Sequence, residues 1–170
     1  GHMAEPSLQV LKGGSTQLAA LDLGSNSFHL MVAQENGGRI QVIDKIKEMV
    51  RLAEGLDPDD NLSEPIILRA LACLERFGQR LRELPARNVR IVATNTLRRA
   101  NNANDFLRRA EAALGHKVEI ISGREEARLI YLGVAHALED DHDRRLVVDI
   151  GGGSTEIILG HQFQARRTES

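Results

Sequence analysis

Two short segments carry the residue types that hold phosphate. Asp22-Leu23-Gly24-Ser25-Asn26-Ser27 runs into Phe28-His29-Leu30-Met31-Val32, and Asp149-Ile150-Gly151-Gly152-Gly153-Ser154 runs into Thr155-Glu156-Ile157-Ile158-Leu159. Each is an apolar run ending in Asp, then a turn of small residues with a Ser, then a second apolar run. Small residues let the backbone come close to a ligand, and successive turn N–H groups can form an anion-binding concavity. Hydroxyls of Ser25, Ser154 and Thr155 add donors. Asp22 and Asp149 cannot themselves welcome a phosphate, but each can hold a divalent cation that bridges to one. A hairpin turn with structural glycines would explain either segment alone. Two copies of one unit in a short chain favour the phosphate reading.

Other candidates are weaker when taken by residue type. Ser122-Gly123-Arg124-Glu125 has the spacing of a capping box, with Glu126 beside it in the first turn of the helix that the box would open. On composition alone, Glu125 and Glu126 are acids at a helix N-terminus. Such a position favours the ionised carboxylate by roughly 0.3–1 kcal/mol when exposed, so positioning rather than basicity would be the asset of Glu126. Arg98-Arg99 reads either as a solvated pair or as a ligand group at the C-terminal end of a strand, where α/β folds bind their ligands. A planar bidentate donor such as Arg98 suits phosphate. Glu156 sits in an apolar strand. Cys73 falls on the apolar side of a helix and reads as core, and His29 reads as packing. No two histidines have zinc-site spacing.

The elements that would position these groups follow from periodicity. Residues 18–22 read as a buried strand, 28–33 as a second and 40–50 as a third, with Asn36-Gly37-Gly38 as a tight hairpin turn between the last two. Residues 55–60 read as a loop. Ser63-Glu64 opens a long helix with apolar residues at 67, 71, 74, 77, 81 and 84, stopped by Pro85. Val89–Ala93 is a strand, 105–114 a helix closed by Gly115, and 118–121 a strand. A helix from Ser122, with apolar positions 127, 130, 134 and 138, should follow. Strands at 146–150 and 156–159 flank the second turn. Short apolar strands alternating with helices argue for α/β with strands buried on both faces, and the leading hairpin makes the sheet mixed.

The 170 residues are 42% hydrophobic and 27% charged, enough for one ordinary core, and with 3% aromatics that core must be aliphatic. A net charge of −2 gives no basic field for nucleic acid. No run of 18 apolar residues spans a membrane. The single Cys73 forbids an intrachain disulfide and points to a reducing compartment, the cytoplasm. Residues 1–16 read as a flexible tail, with Gly1-His2-Met3 a tag remnant.

Four blocks in order resemble the exopolyphosphatase / guanosine pentaphosphate phosphohydrolase family. They are the Asp22 turn, Ala93-Thr94-Asn95-Thr96-Leu97-Arg98, Ser122-Gly123-Arg124-Glu125-Glu126-Ala127-Arg128-Leu129-Ile130-Tyr131, and the Asp149 turn through Glu156. The resemblance implies an actin-like fold of the ribonuclease H, sugar kinase and heat-shock-70 kind. Residues 17–141 would be its first lobe and 142–170 the opening hairpin of a second. It implies hydrolysis of the terminal phosphoanhydride of linear polyphosphate, or alternatively of guanosine pentaphosphate. Gly153 and Thr94-Asn95-Thr96 lean toward the polyphosphate branch. A nucleotide-binding ATPase or kinase lobe is the more distant alternative. By the same resemblance Glu126 activates or orients the attacking water, Glu156 is a second acid, and Asp149 is associated with metal and phosphate. Arg98 binds phosphate, and Gly24, Ser25, Asn26, Gly151, Gly152, Gly153, Ser154 and Thr155 cradle it. Magnesium or another divalent cation is the implied cofactor, with a monovalent cation as a further one. The full-length protein would be a homodimer, with peripheral membrane association left open. The chain by itself should be inactive, because the cleft needs both lobes.

Overall fold

A computed structural model describes residues 16–93, 95–121, 128–136, 145–150 and 155–163. Its first five strands are β1 (Thr16–Leu23), β2 (Ser27–Asn36), β3 (Arg39–Met49), β4 (Val89–Ala93) and β5 (Glu119–Ile120). They form one mixed sheet in the order β3-β2-β1-β4-β5. The β1–β2 and β2–β3 pairs are antiparallel, while β1–β4 and β4–β5 are parallel. The hairpin between β2 and β3 turns on Gly37 (φ 60) and Gly38 (φ 86). Two successive positive φ angles match the right-handed twist of the flanking strands, and glycine adopts them without steric cost.

Helices cover one face of this sheet. They are α1 (Glu64–Leu81) and α3 (Ala103–Leu114), with the short α2 (Asn95–Arg99) between β4 and α3. Ile67, Ala70, Leu74, Phe77 and Leu81 of α1 recur at helical spacing and meet Ala19, Leu21, Phe28 and Leu30 of the sheet, with Phe106 and Ala110 of α3 in the same core. Gly115 ends α3 in the left-handed conformation, φ 77, its N–H on the Glu111 carbonyl. These elements agree with the periodicity; α2 has no counterpart in that reading, because five residues are too few to show a period.

The other face carries Leu18, Ala20, Met31, Ala33 and Val92. Ile130, Leu132, Val148, Ile157 and Leu159 cover it. Those residues come from a second sheet, in the order β6-β8-β7, built of β6 (Arg128–His136), β7 (Arg145–Ile150) and β8 (Thr155–Phe163). Here the structure departs from the sequence reading. The capping box lies outside the described residues, but 128–136 is a strand, not a helix. It runs parallel to β8 from Arg128↔Thr155 to His136↔Phe163. Ile130 and Leu132 are buried and Tyr131 between them is exposed, which is strand alternation. Ile130, Tyr131 and Val134 favour strands, Gly133 weakens a helix, and nine-residue pairing with β8 outweighs the 3.6-residue spacing.

Candidate phosphate-binding site

The first turn lies where β1 gives way to β2, at the C-terminal edge of the sheet. Gly24 donates its N–H to the Ser27 carbonyl at 3.0 Å, closing the turn. The outward side of the turn is fixed by what holds its back. Val50 and Arg51 both donate to the Asn26 carbonyl, at 3.0 and 2.7 Å, and Ala53 donates to the Ser25 carbonyl at 2.9 Å. In a planar trans peptide the N–H points opposite to the C=O. The N–H groups of Asn26 and Ser27 therefore point away from segment 50–53, as donors to an anion must.

Asp22 precedes this turn and is 2% exposed. Alternation puts it on the face of Leu18 and Ala20, the face that the second sheet covers. Its register partners are His29 on β2 and Val92 on β4. A carboxylate this deep is costly without compensating charge or hydrogen bonds. It is a hard oxygen donor beside the candidate phosphate turn, and magnesium is held by one or two carboxylates together with substrate phosphate and water. That donor chemistry fits the ion. Among the described residues no three His, Cys, Asp or Glu side chains converge as a closed protein cage.

Arg98 lies on α2, immediately after β4, and Leu23↔Ala93 pairing sets this connection beside the first turn. The guanidinium is exposed and has no ion pair or hydrogen bond to any described residue. By contrast Arg76, Arg80, Arg90 and Arg109 pair with Glu48, Asp44, Glu119 and Glu64. Arg98 lines an open cleft of about 460 Å³ with Leu97, Asn101, Asn104 and Ile120, and among the described residues no acid lines it. A cation with no acid partner among the described residues is suited to an anion.

At the second turn, β7 and β8 pair with Asp149↔Glu156 and Ile150↔Thr155. The register thus brings two candidate acids opposite each other, and Glu156 is exposed. Glu126, Gly151, Gly152, Gly153 and Ser154 lie outside the described residues. Sequence reasoning missed the contacts behind the first turn. Segment 50–53 carries no motif; only the Gly24–Ser27 turn's need for a backing element could have pointed to it.

A sheet of order 3-2-1-4-5, with a strand–Asp–turn unit at its edge and helices on one face, defines the first lobe of an actin-like ATPase fold. Solved structures agree. The Ppx/GppA family member of Aquifex aeolicus superposes with a TM-score of 0.59 at 22% identity, over 86% of this chain and 51% of that one. An exopolyphosphatase from Cytophaga hutchinsonii gives 0.58 at 21% identity, over 70% and 43%. Residues 31–170 match the Ppx/GppA phosphatase family, and the chain belongs to it. It is 51% identical over 158 residues to the guanosine-5'-triphosphate,3'-diphosphate pyrophosphatase of Vibrio vulnificus. That match takes in 93% of this chain and 32% of the relative, so the chain spans about a third of the relative's length.

Proposed function

We propose that the whole protein hydrolyses the terminal 5′ phosphoanhydride of guanosine pentaphosphate, releasing orthophosphate. The observation that carries this is the 51% identity to a relative named for that substrate, which favours the nucleotide over the polyphosphate that the sequence blocks put first. Both substrates present the same bond, so one set of roles serves. Amides of the first turn, with Ser25, take phosphoryl oxygens, and the residues of the second turn do the same. Arg98 neutralises charge on the phosphate chain. Asp22 and Asp149 hold magnesium, which when bound withdraws charge from the phosphoryl oxygens. Glu126 orients the attacking water and accepts its proton, and Glu156 supports it. The enzyme works in the cytoplasm, as a homodimer, with residues 17–141 and 142–170 in successive lobes. Among the described residues no helix is long and apolar enough to cross a membrane.

Linear polyphosphate is the second reading, favoured by Gly153 and Thr94-Asn95-Thr96. The test is orthophosphate release by the full-length protein from guanosine pentaphosphate and from long-chain polyphosphate, wild type against Glu126→Gln. The expected result is a higher kcat/KM on the nucleotide and a loss of at least about a hundredfold in the variant, the scale of a positioned general base. Preference for the polymer promotes the second reading. Undiminished turnover by the variant removes Glu126 from the chemistry.

A further inference from the structure

The Gly24–Ser27 turn and Arg98 belong to different elements, yet a single connector touches the neighbourhood of both. Residues 50–53 hold the back of the turn, and residues 59–62 hold Asn101 and Asn102, which follow Arg98 by three and four positions. We propose that the connector 50–62 is a brace that fixes the distance between the phosphate turn and the arginine segment, with Arg51 and Asn102 as positioning residues at its two ends. The proposal rests on the reading of the turn and Arg98 as phosphate-binding.

At the first end Arg51 adopts φ 60, ψ 51, the left-handed region that L side chains rarely enter. Two consecutive N–H groups, those of Val50 and Arg51, thereby converge on one carbonyl of the turn. At the other end the Asn102 amide closes both polar groups of one backbone residue. Its Oδ1 accepts from the Leu62 N–H at 2.8 Å, and its Nδ2 donates to the Leu62 carbonyl at 3.0 Å. Asn101 adds two more bonds, its N–H to the Asp60 carbonyl at 2.7 Å and its Nδ2 to the Asp59 carbonyl at 2.6 Å.

The span between the ends is itself bonded. The Asp57 carboxylate accepts from the N–H groups of Asp59 and Asn61, each at 2.9 Å, and Ser63 donates to the Gly55 carbonyl at 2.8 Å. The two non-glycine residues with positive φ among the described residues, Arg51 and Asp60, both lie in this connector. Strained backbone persists only where surrounding contacts over-determine it, and it concentrates near functional sites. A slack surface loop would relax both angles.

The experiment measures the Kd of full-length protein for inorganic tripolyphosphate by calorimetry, with Tm recorded for each variant. Asn102→Asp removes the Nδ2 donor and sets a carboxylate oxygen against the Leu62 carbonyl. It should weaken binding at least about fivefold, since hydrogen-bond loss with an acceptor left facing an acceptor is felt beyond one contact. Arg51→Gly takes φ 60 without strain and should bind within about twofold of wild type, while the β-branched Arg51→Val should weaken binding as Asn102→Asp does. A merely structural role lowers Tm and the folded fraction but leaves the Kd of the folded molecules unchanged. Asn102→Asp within twofold of wild type overturns the brace. So does Arg51→Gly weakening as much as Arg51→Val, since the effect would then belong to the guanidinium. Arg98→Ala separates the two readings: if it weakens binding while Asn102→Asp does not, the brace alone fails. If Arg98→Ala changes nothing, or wild type does not bind, the site reading fails and the brace with it.

Discussion

Cys73 shows how one residue's environment decides its chemistry. It lies on the buried side of α1, 1% exposed, and its thiol is pushed up to about 12. Burial is the largest cause; the charge of Glu48 and a hydrogen bond to it add, and Arg76 opposes them. The thiolate is the nucleophile, so this thiol should be inert in the folded chain. Alkylation at pH 8 should be at least about a hundredfold slower in native protein than in urea-unfolded protein, given the tenfold per unit that separates thiol from thiolate. The sign of the pH dependence follows. Between the ordinary value of 9.0 and about 12 the folded state keeps a proton that the unfolded state has lost. Stability is therefore complete below 9.0 and falls as pH rises toward 12. Urea melts at pH 8 and pH 10.5 should show this fall in wild type and a smaller one in Cys73→Ala; equal slopes would mean that the thiol ionises freely in the fold. Cys73 was legible as core from its place on the helix. The burial of Asp22 was not legible, because an Asp ending an apolar strand reads the same whether it meets solvent or a second layer.

At the scale of elements, the packing of α1 on α3 turns on a glycine. Gly78 is buried mid-helix, where alanine ordinarily stabilises by about 1 kcal/mol. Here a Cβ would run into the Ala113 carbonyl oxygen, a backbone atom that also accepts from Arg82 Nη1 at 2.8 Å. Close approach of the two helices thus needs the missing side chain. Gly78→Ala should destabilise by about 1–3 kcal/mol, the cost of overpacking, read as a lower urea midpoint at unchanged m-value. A midpoint that rises would show that α3 shifts freely. The elements whose bounds the sequence carried are those with a long period or a strong stop: α1 before Pro85, α3 before Gly115 and the Gly37-Gly38 hairpin. β6 was not legible as a strand, because apolar positions 130 and 134 fit a helix while 130 and 132 fit a strand. Pairing with β8, distant in sequence, decided between them. The exposed pairs Arg76–Glu48 and Arg80–Asp44 tie α1 to β3, but surface pairs of this kind are worth about 0–1 kcal/mol and explain little of the docking.

For the whole molecule, two apolar cores lie on opposite faces of one sheet, and both are assembled from this chain. That is sufficient for cooperative folding of a domain of this size. Catalysis asks for more. Phosphoanhydride hydrolysis needs charge neutralised around the transferred group from several directions at once, with water excluded or positioned. The chain carries the candidate residues of both turns, Arg98 and Glu126, yet it spans 32% of the length of the curated relative. We expect the 170-residue chain alone to unfold in a single urea transition yet to release orthophosphate from guanosine pentaphosphate at under about 1% of the rate of the full-length protein. A hundredfold loss is about 2.7 kcal/mol of barrier, less than a missing wall of phosphate contacts should cost. The measurement compares circular dichroism melts of the chain with phosphate release by chain and full-length protein at equal concentration. A folded chain with turnover within tenfold of the full-length protein would place the complete catalytic set within these 170 residues, and the rest of the full-length protein would then serve substrate choice instead of the chemical step.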